Sequence, residues 1–190
     1  MFVLLARTPD QWVEAVLNDL DRFLNDHASA EKKASGMAMA IALHYPDKPD
    51  IVEAMIDLAI EELAHFREVV KIMTSRKLQL QPDSKDPYVN RLNRLTRRDS
   101  TTYLLDRLLL GSVIEARGAE RFRLIAEALP PGKLQRFYQV ISSSEDKHQE
   151  LFLSLANNYF ETRQIDRRLG EILEAEAGIM LAQPVRPVLH

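Results

Sequence analysis

Apolar residues recur at three- and four-residue steps along most of this chain, and that period predicts helices rather than strands. A first helix is expected from Thr8-Pro9, where threonine can cap and proline opens the first turn. It runs through Trp12, Val16, Leu20 and Phe23 to a break or bend near Asp26-His27. A second segment spans about 29–44 and stops before Tyr45-Pro46. The third begins near Pro49-Asp50 and reaches about Thr74, with Met55, Leu58, Ala59, Glu62, His65, Phe66, Val69 and Ile72 as its inward stripe. Residues 75–99 read as a long crossover, in which Asp86-Pro87 can start a short helix facing inward through Val89, Leu92 and Leu95. Helices over about 100–129, from Pro131 to about 163, and over 165–181 complete the chain before a proline-containing tail.

Polar residues interrupt the apolar stripes at only a few places, and they do so twice in the same way. Glu31 precedes Glu62-x-x-His65 by 31 residues, and Glu115 precedes Glu145-x-x-His148 by 30. The second set follows the first at an offset of 84 for the leading glutamate and 83 for the other two residues. Glutamate and histidine three apart on a helix point to one side. A single Glu-x-x-His would read as a solvated helix face. Here Glu31 continues the stripe Ala28, Ala38, Ala42, while Glu115 lies among Leu104, Leu108, Ala119 and Phe122. Glu145 and His148 extend Leu134, Phe137 and Ile141 toward Phe152 and Leu155, whereas Glu53, Glu61 and Glu68 fall off their stripe.

Four carboxylates on buried stripes need cations or protons to offset their lost hydration. Two histidines among them complete a set that can hold two metal ions, and hard oxygen donors with imidazole suit iron or manganese alike, iron being favoured only by the site's resemblance to oxygen-activating dimetal carboxylate proteins. The set resembles that of ferritin-like dimetal carboxylate proteins. It implies an all-α, ferritin-like four-helix bundle with additional N- and C-terminal helices, as a single domain over residues 1–190.

Composition narrows this further. Cysteine is absent, which removes disulfides, iron–sulfur clusters, thiolate zinc and any rubredoxin-like domain. The opening Met-Phe-Val-Leu-Leu-Ala run is too short for a signal-peptide core, and no stretch approaches the roughly 20 apolar residues of a membrane span. A cytoplasmic protein without a membrane partner is expected. The net charge is −3, but with four glutamates assigned to metal the 25 basic residues face 24 of the 28 acids. Charge therefore does not argue against an RNA partner. Lys85, Arg91, Arg94, Arg97 and Arg98 stand against Asp86 alone in residues 85–98, and Arg91, Arg94, Arg97 and Arg98 are the candidate RNA contacts. Lys32, Lys33, Arg117, Arg121, Arg123, Arg163, Arg167 and Arg168 are further basic candidates. The plain alternative is arginines solvating surface helices, with Arg121 and Arg167 paired to nearby acids.

Gly111 and Gly118 flank Glu115, where they can either leave room near the metals or permit close helix packing. His27, His44 and His190 show no partner pattern and are read as incidental. Trp12 is expected to pack the first helix.

Several segments also resemble one family. Asp26-His27-Ala28-Ser29-Ala30-Glu31-Lys32-Lys33-Ala34, Glu61-Glu62-Leu63-Ala64-His65-Phe66, Ile114-Glu115-Ala116-Arg117 and Ser144-Glu145-Asp146-Lys147-His148 are similar, in order and interval, to the tRNA 2-methylthio-N6-isopentenyladenosine hydroxylases. The resemblance implies a non-haem di-iron monooxygenase that hydroxylates the isopentenyl group at tRNA position 37 with dioxygen and two electrons. It implies Glu31, Glu62, His65, Glu115, Glu145 and His148 as the ligands of two iron ions, and an electron-transfer protein as a further partner, with no role for DNA. The alternative is a bacterioferritin-like ferroxidase or iron-storage protein. A cage subunit, however, has no need of the extra terminal helices or the arginine-rich crossover. Manganese catalase and a metal-free interaction bundle stand behind it.

Overall fold

The computed structural model describes residues 2–190; Met1 lies outside them. Seven helices and no strands are present among the described residues: α1 Asp10–Asn18, α2 Leu20–His44, α3 Pro49–Ser75, α4 Pro87–Asn93, α5 Tyr103–Ala128, α6 Lys133–Tyr159 and α7 Thr162–Leu181. Internal packing divides the described residues into two compact units, one comprising residues 2–13, 85–185 and 190, the other residues 14–84 and 186–189.

In the second unit α2 and α3 form a helical hairpin. Its core is made by Phe23, Leu24, Ala28, Ala38 and Ile41 of α2 with Ile51, Met55, Leu58, Val69 and Met73 of α3. The interruption expected near Asp26-His27 lies instead at Asp19. The Asp19 carboxylate accepts from the Arg22 backbone N–H at 3.2 Å and so begins α2 nine residues earlier than the expected segment. Asp26 and His27 are ordinary helical positions whose polar side chains have partners: Asp26 accepts from the Leu189 backbone N–H at 2.7 Å, and His27 is treated below. Pro49 opens α3 as its first residue. The connection after α3 is held by Arg76, which bonds Asp21, and by Lys32 and Ser29, which share Asp83.

In the first unit α5 and α6 form the longer hairpin, and α7 packs on α4, α5 and α6. Asp86 caps α4 by accepting from Tyr88 and Val89 N–H, with Pro87 at the first position. The helix expected from residue 100 starts at Tyr103, because Asp99 binds Thr101 and Thr102 in a preceding turn. Leu129 before Pro130-Pro131 ends α5. The boundary between α6 and α7 falls at Phe160-Glu161 rather than near residue 164, because Glu161 and Gln164 form a reciprocal capping box. Gly111 permits close packing of the hairpin: a Cβ there would lie 2.9 Å from two carbons of the Phe152 ring. No helix among the described residues is long and apolar enough to cross a membrane.

Candidate metal centre

Each helical hairpin carries one of the repeated ligand triads. In the α2/α3 hairpin Glu31 and Glu62 are buried, at 4% and 1% exposure, and His65 is 12% exposed at its side chain. One donor atom of each lies within 4.8 Å of one from both others. His65 Nδ1 is 3.5 Å from Glu62 Oε2 and 3.7 Å from Glu31 Oε2. In the α5/α6 hairpin Glu115, Glu145 and His148 are all buried and again present donor atoms within 4.8 Å of one another. His148 Nδ1 stands 3.7 Å from Glu145 Oε2. The three-residue spacing places each Glu–His pair on one side of its helix, and the apolar stripe carries that side inward.

The registers of the two hairpins are pinned in matching places. Ser35 Oγ donates to the Ala59 carbonyl at 2.9 Å, four residues beyond Glu31 and three before Glu62. Ser142 Oγ donates to the Ala119 carbonyl at 3.0 Å, three before Glu145 and four beyond Glu115. The bond sits at the same point of the repeat with the donor helix exchanged. A buried serine with its hydroxyl satisfied fixes how one ligand-bearing helix slides on the other.

The electrostatics favour a cation. Burial pushes the Glu31 carboxyl up, but hydrogen bonds and charge from His27 and a further bond from His65 outweigh it and hold the group well below the usual range. Burial pulls the His65 imidazole down, yet the neighbouring Glu31 and Glu62 carboxylates raise it to about 9. Carboxylates that attract positive charge this strongly, beside imidazole nitrogen and far from any thiol, are a hard-donor set that fits iron or manganese.

The remaining sequence candidates divide. His27 is not incidental: it is fully buried, and its Nε2 lies 2.5 Å from Glu31 Oε1. The i, i+4 spacing of His27 and Glu31 on one buried face was the signal for it. His190 also has a place, stacked on the Tyr88 ring at 5.1 Å with Nδ1 3.3 Å from Asp86. Arg117 and Arg121, counted among the basic candidates, are buried in the first unit. Arg117 binds Glu176, Glu120, Thr8 and the Ala6 carbonyl, and Arg121 lies over the Trp12 ring at 5.0 Å. Arg97 is half-buried and fastened to Asp106 through its backbone N–H and guanidinium, while Arg168 binds the same carboxylate and the Leu95 carbonyl. Arg91, Arg94 and Arg98 are at least partly exposed. Lys32 and Lys33 are engaged locally by Asp83 and the Ser84 carbonyl.

Comparison with known proteins agrees with this reading of the fold. Along 173 residues, 91% of this chain and 84% of the relative, the sequence is 37% identical to a protein of Pseudomonas putida named tRNA 2-(methylsulfanyl)-N(6)-isopentenyladenosine(37) hydroxylase. A Salmonella typhimurium protein of the same name is 31% identical over 132 residues, covering 70% of this chain and 48% of that one. Among solved structures, protein 43 with aldehyde deformylating oxygenase activity from Synechococcus matches with a TM-score of 0.95 and 32% identity, over 100% of this chain and 96% of that chain. The fold class is therefore the all-α, ferritin-like one expected from the ligand repeat. The sequence model described as tRNA-(MS[2]IO[6]A)-hydroxylase (MiaE) matches residues 1–190, and the chain belongs to that family of tRNA hydroxylases.

Proposed function

We propose that this protein is an oxygen-dependent di-iron monooxygenase that hydroxylates the isopentenyl group of 2-methylthio-N6-isopentenyladenosine at position 37 of tRNA. The observation that carries the reading is the pair of buried Glu, Glu-x-x-His triads in a chain matched over its whole length by the hydroxylase family. The bacterioferritin-like alternative gains no support from the relatives, which are named as hydroxylases.

Glu31, Glu62, His65, Glu115, Glu145 and His148 would be the residues that hold the two metal ions. Two iron ions, when bound, supply the activation of dioxygen needed to functionalise an unactivated C–H bond. The protein's own part is different. Ionised glutamates offset the positive charge, and apolar neighbours on the same stripes exclude water from the reacting region. The serine hydrogen bonds at Ala59 and Ala119 hold each ligand pair in register. Arg91, Arg94 and Arg98 are free to meet phosphates, whereas Arg97 serves the fold first, through Asp106. The two electrons would come from a separate electron-transfer protein, and the reaction would take place in the cytoplasm, with tRNA and dioxygen as partners.

The test is to load the purified chain anaerobically with ferrous iron, count metal per chain, reduce it and add dioxygen with isopentenylated tRNA. About two irons per chain and a gain of one oxygen atom in the modified adenosine is the expected result. Two irons with iron oxidation but no change in the nucleoside would overturn the hydroxylase reading.

A further inference from the structure

The repeat of the two ligand triads does not extend to the position one turn before the leading glutamate. Four residues before Glu31 stands His27; four residues before Glu115 stands Gly111. His27 is fully buried, with its ring tilted 35° to Phe23 at 6.0 Å, and its Nε2 approaches Glu31 Oε1 to 2.5 Å. Gly111 offers no side chain at the corresponding place, and the ring of Phe152 crowds the position its Cβ would take. The large and small partners are exchanged between the repeats: His27 and Val69 in one occupy the positions of Gly111 and Phe152 in the other.

We propose that His27 is a positioning residue that occupies one oxygen of Glu31, so that this carboxylate meets a metal ion through its other oxygen alone and the two ion positions are made unequal. The inference rests on the metal-binding reading above. A carboxylate that binds a metal ion can only accept, so the 2.5 Å contact is a hydrogen bond in which the His27 Nε2–H donates to Glu31 Oε1. Glu31 Oε2 is the oxygen left facing His65 Nδ1, at 3.7 Å. A donor fixed on one carboxylate oxygen restricts rotation of the group and disfavours chelation by both oxygens. Groups that orient a ligand in this way typically govern metal affinity by about 10–100-fold. The position one turn before Glu115 cannot supply an equivalent imidazole, because it is a glycine. His27 therefore acts on only one of the two triads.

Two substitutions separate the donor from the ring. His27→Phe keeps a buried ring beside Phe23 and removes the donor; His27→Gln keeps an N–H donor and removes the ring. Far-UV circular dichroism and thermal melting establish that each full-length variant is folded. The metal-free proteins are then titrated anaerobically with Co(II), following the visible ligand-field bands and the stoichiometry. Wild type is expected to take up two ions per chain. In His27→Phe one of the two is expected to weaken by at least about tenfold while the other is unchanged, and His27→Gln is expected to recover most of the loss. Equal affinities for both ions in wild type and His27→Phe would overturn the inference while leaving the metal centre intact. So would equal weakening of both ions, or a loss that His27→Gln does not recover. A wild-type chain that binds no pair of ions would overturn the metal reading itself. Should His27→Phe not fold, wild-type-like spectra and affinities in His27→Ala would overturn the proposal, and selective loss of one ion would sustain it.

Discussion

Arg117 and Glu176 form a bidentate ion pair with both side chains fully buried, Nε to Oε1 at 2.9 Å and Nη2 to Oε2 at 3.0 Å. The pair joins α5 to α7. Arg117 reaches further to Glu120, Thr8 and the Ala6 carbonyl, and Glu176 also accepts from the Tyr88 hydroxyl at 2.9 Å. The ion pair thus ties the N-terminal segment, through Arg117, and α4, through Glu176, to α7 and the helix that carries Glu115. Removing one member strands the other in a place water does not reach. Glu176→Ala is expected to cost about 3–5 kcal/mol in urea unfolding. A loss under about 1 kcal/mol would show that the remaining partners of Arg117 suffice.

The serines that pin the hairpins make a smaller and more local prediction. Ser35→Ala and Ser142→Ala each leave a buried carbonyl without its cross-helix donor. Each is expected to cost about 1–2 kcal/mol. The effects should add in the double variant, since the two serines serve different helix pairs. Chemical denaturation of the three variants checks this, and strong non-additivity would count against independent pins.

Asp86 gives a dependence on pH. Burial pushes its carboxyl up, but His190 and the N–H groups of Val89 and Tyr88 prevail and hold it at about 2. A depressed carboxyl stabilises the fold above the ordinary aspartate range, and that contribution fades as pH falls through it toward 2. Asp86→Ala is therefore expected to lose about 1–2 kcal/mol at pH 7, including the cap of α4. The gap to wild type should narrow measurably at pH 3. A gap independent of pH would mean that neither the cap nor His190 favours the ionised form of Asp86 in the fold.

The crossover arginines should separate by function. Replacing Arg91, Arg94 and Arg98 together with glutamine is expected to raise KM for tRNA while leaving metal content and melting temperature unchanged. It should also flatten the salt dependence of binding, by about 1 log unit per log unit of salt for each phosphate that is no longer neutralised. Arg97→Gln should act differently, lowering stability because Asp106, fully buried, loses one of its two guanidinium partners. Filter binding across salt concentrations and thermal melting read the two effects apart.

The amino-acid sequence alone determined the helical class, most helix positions, and the six ligand candidates. Apolar periodicity marks which face of a helix turns inward, and acids and histidines on that face at repeated spacing stand out against it. The hydroxylase resemblance came from short segments around those same residues. Their neighbours were harder to read. The break at Asp19 rather than at Asp26-His27 depended on which polar residues find buried partners, and neither aspartate differs in local propensity enough to say. His27 stood one turn from Glu31 in plain view, yet an i, i+4 pair becomes a hydrogen bond only when the rotamers and packing allow 2.5 Å. Arg117 and Arg121 are basic candidates in the sequence, with a nearby acid as the alternative partner of Arg121, whereas in the fold Glu176, nearly sixty residues from Arg117, binds Arg117, Thr8 meets both arginines, and Arg121 lies over Trp12. Only the tertiary structure decided those matters, because a periodic pattern gives the direction a side chain faces and not the distant group that meets it there.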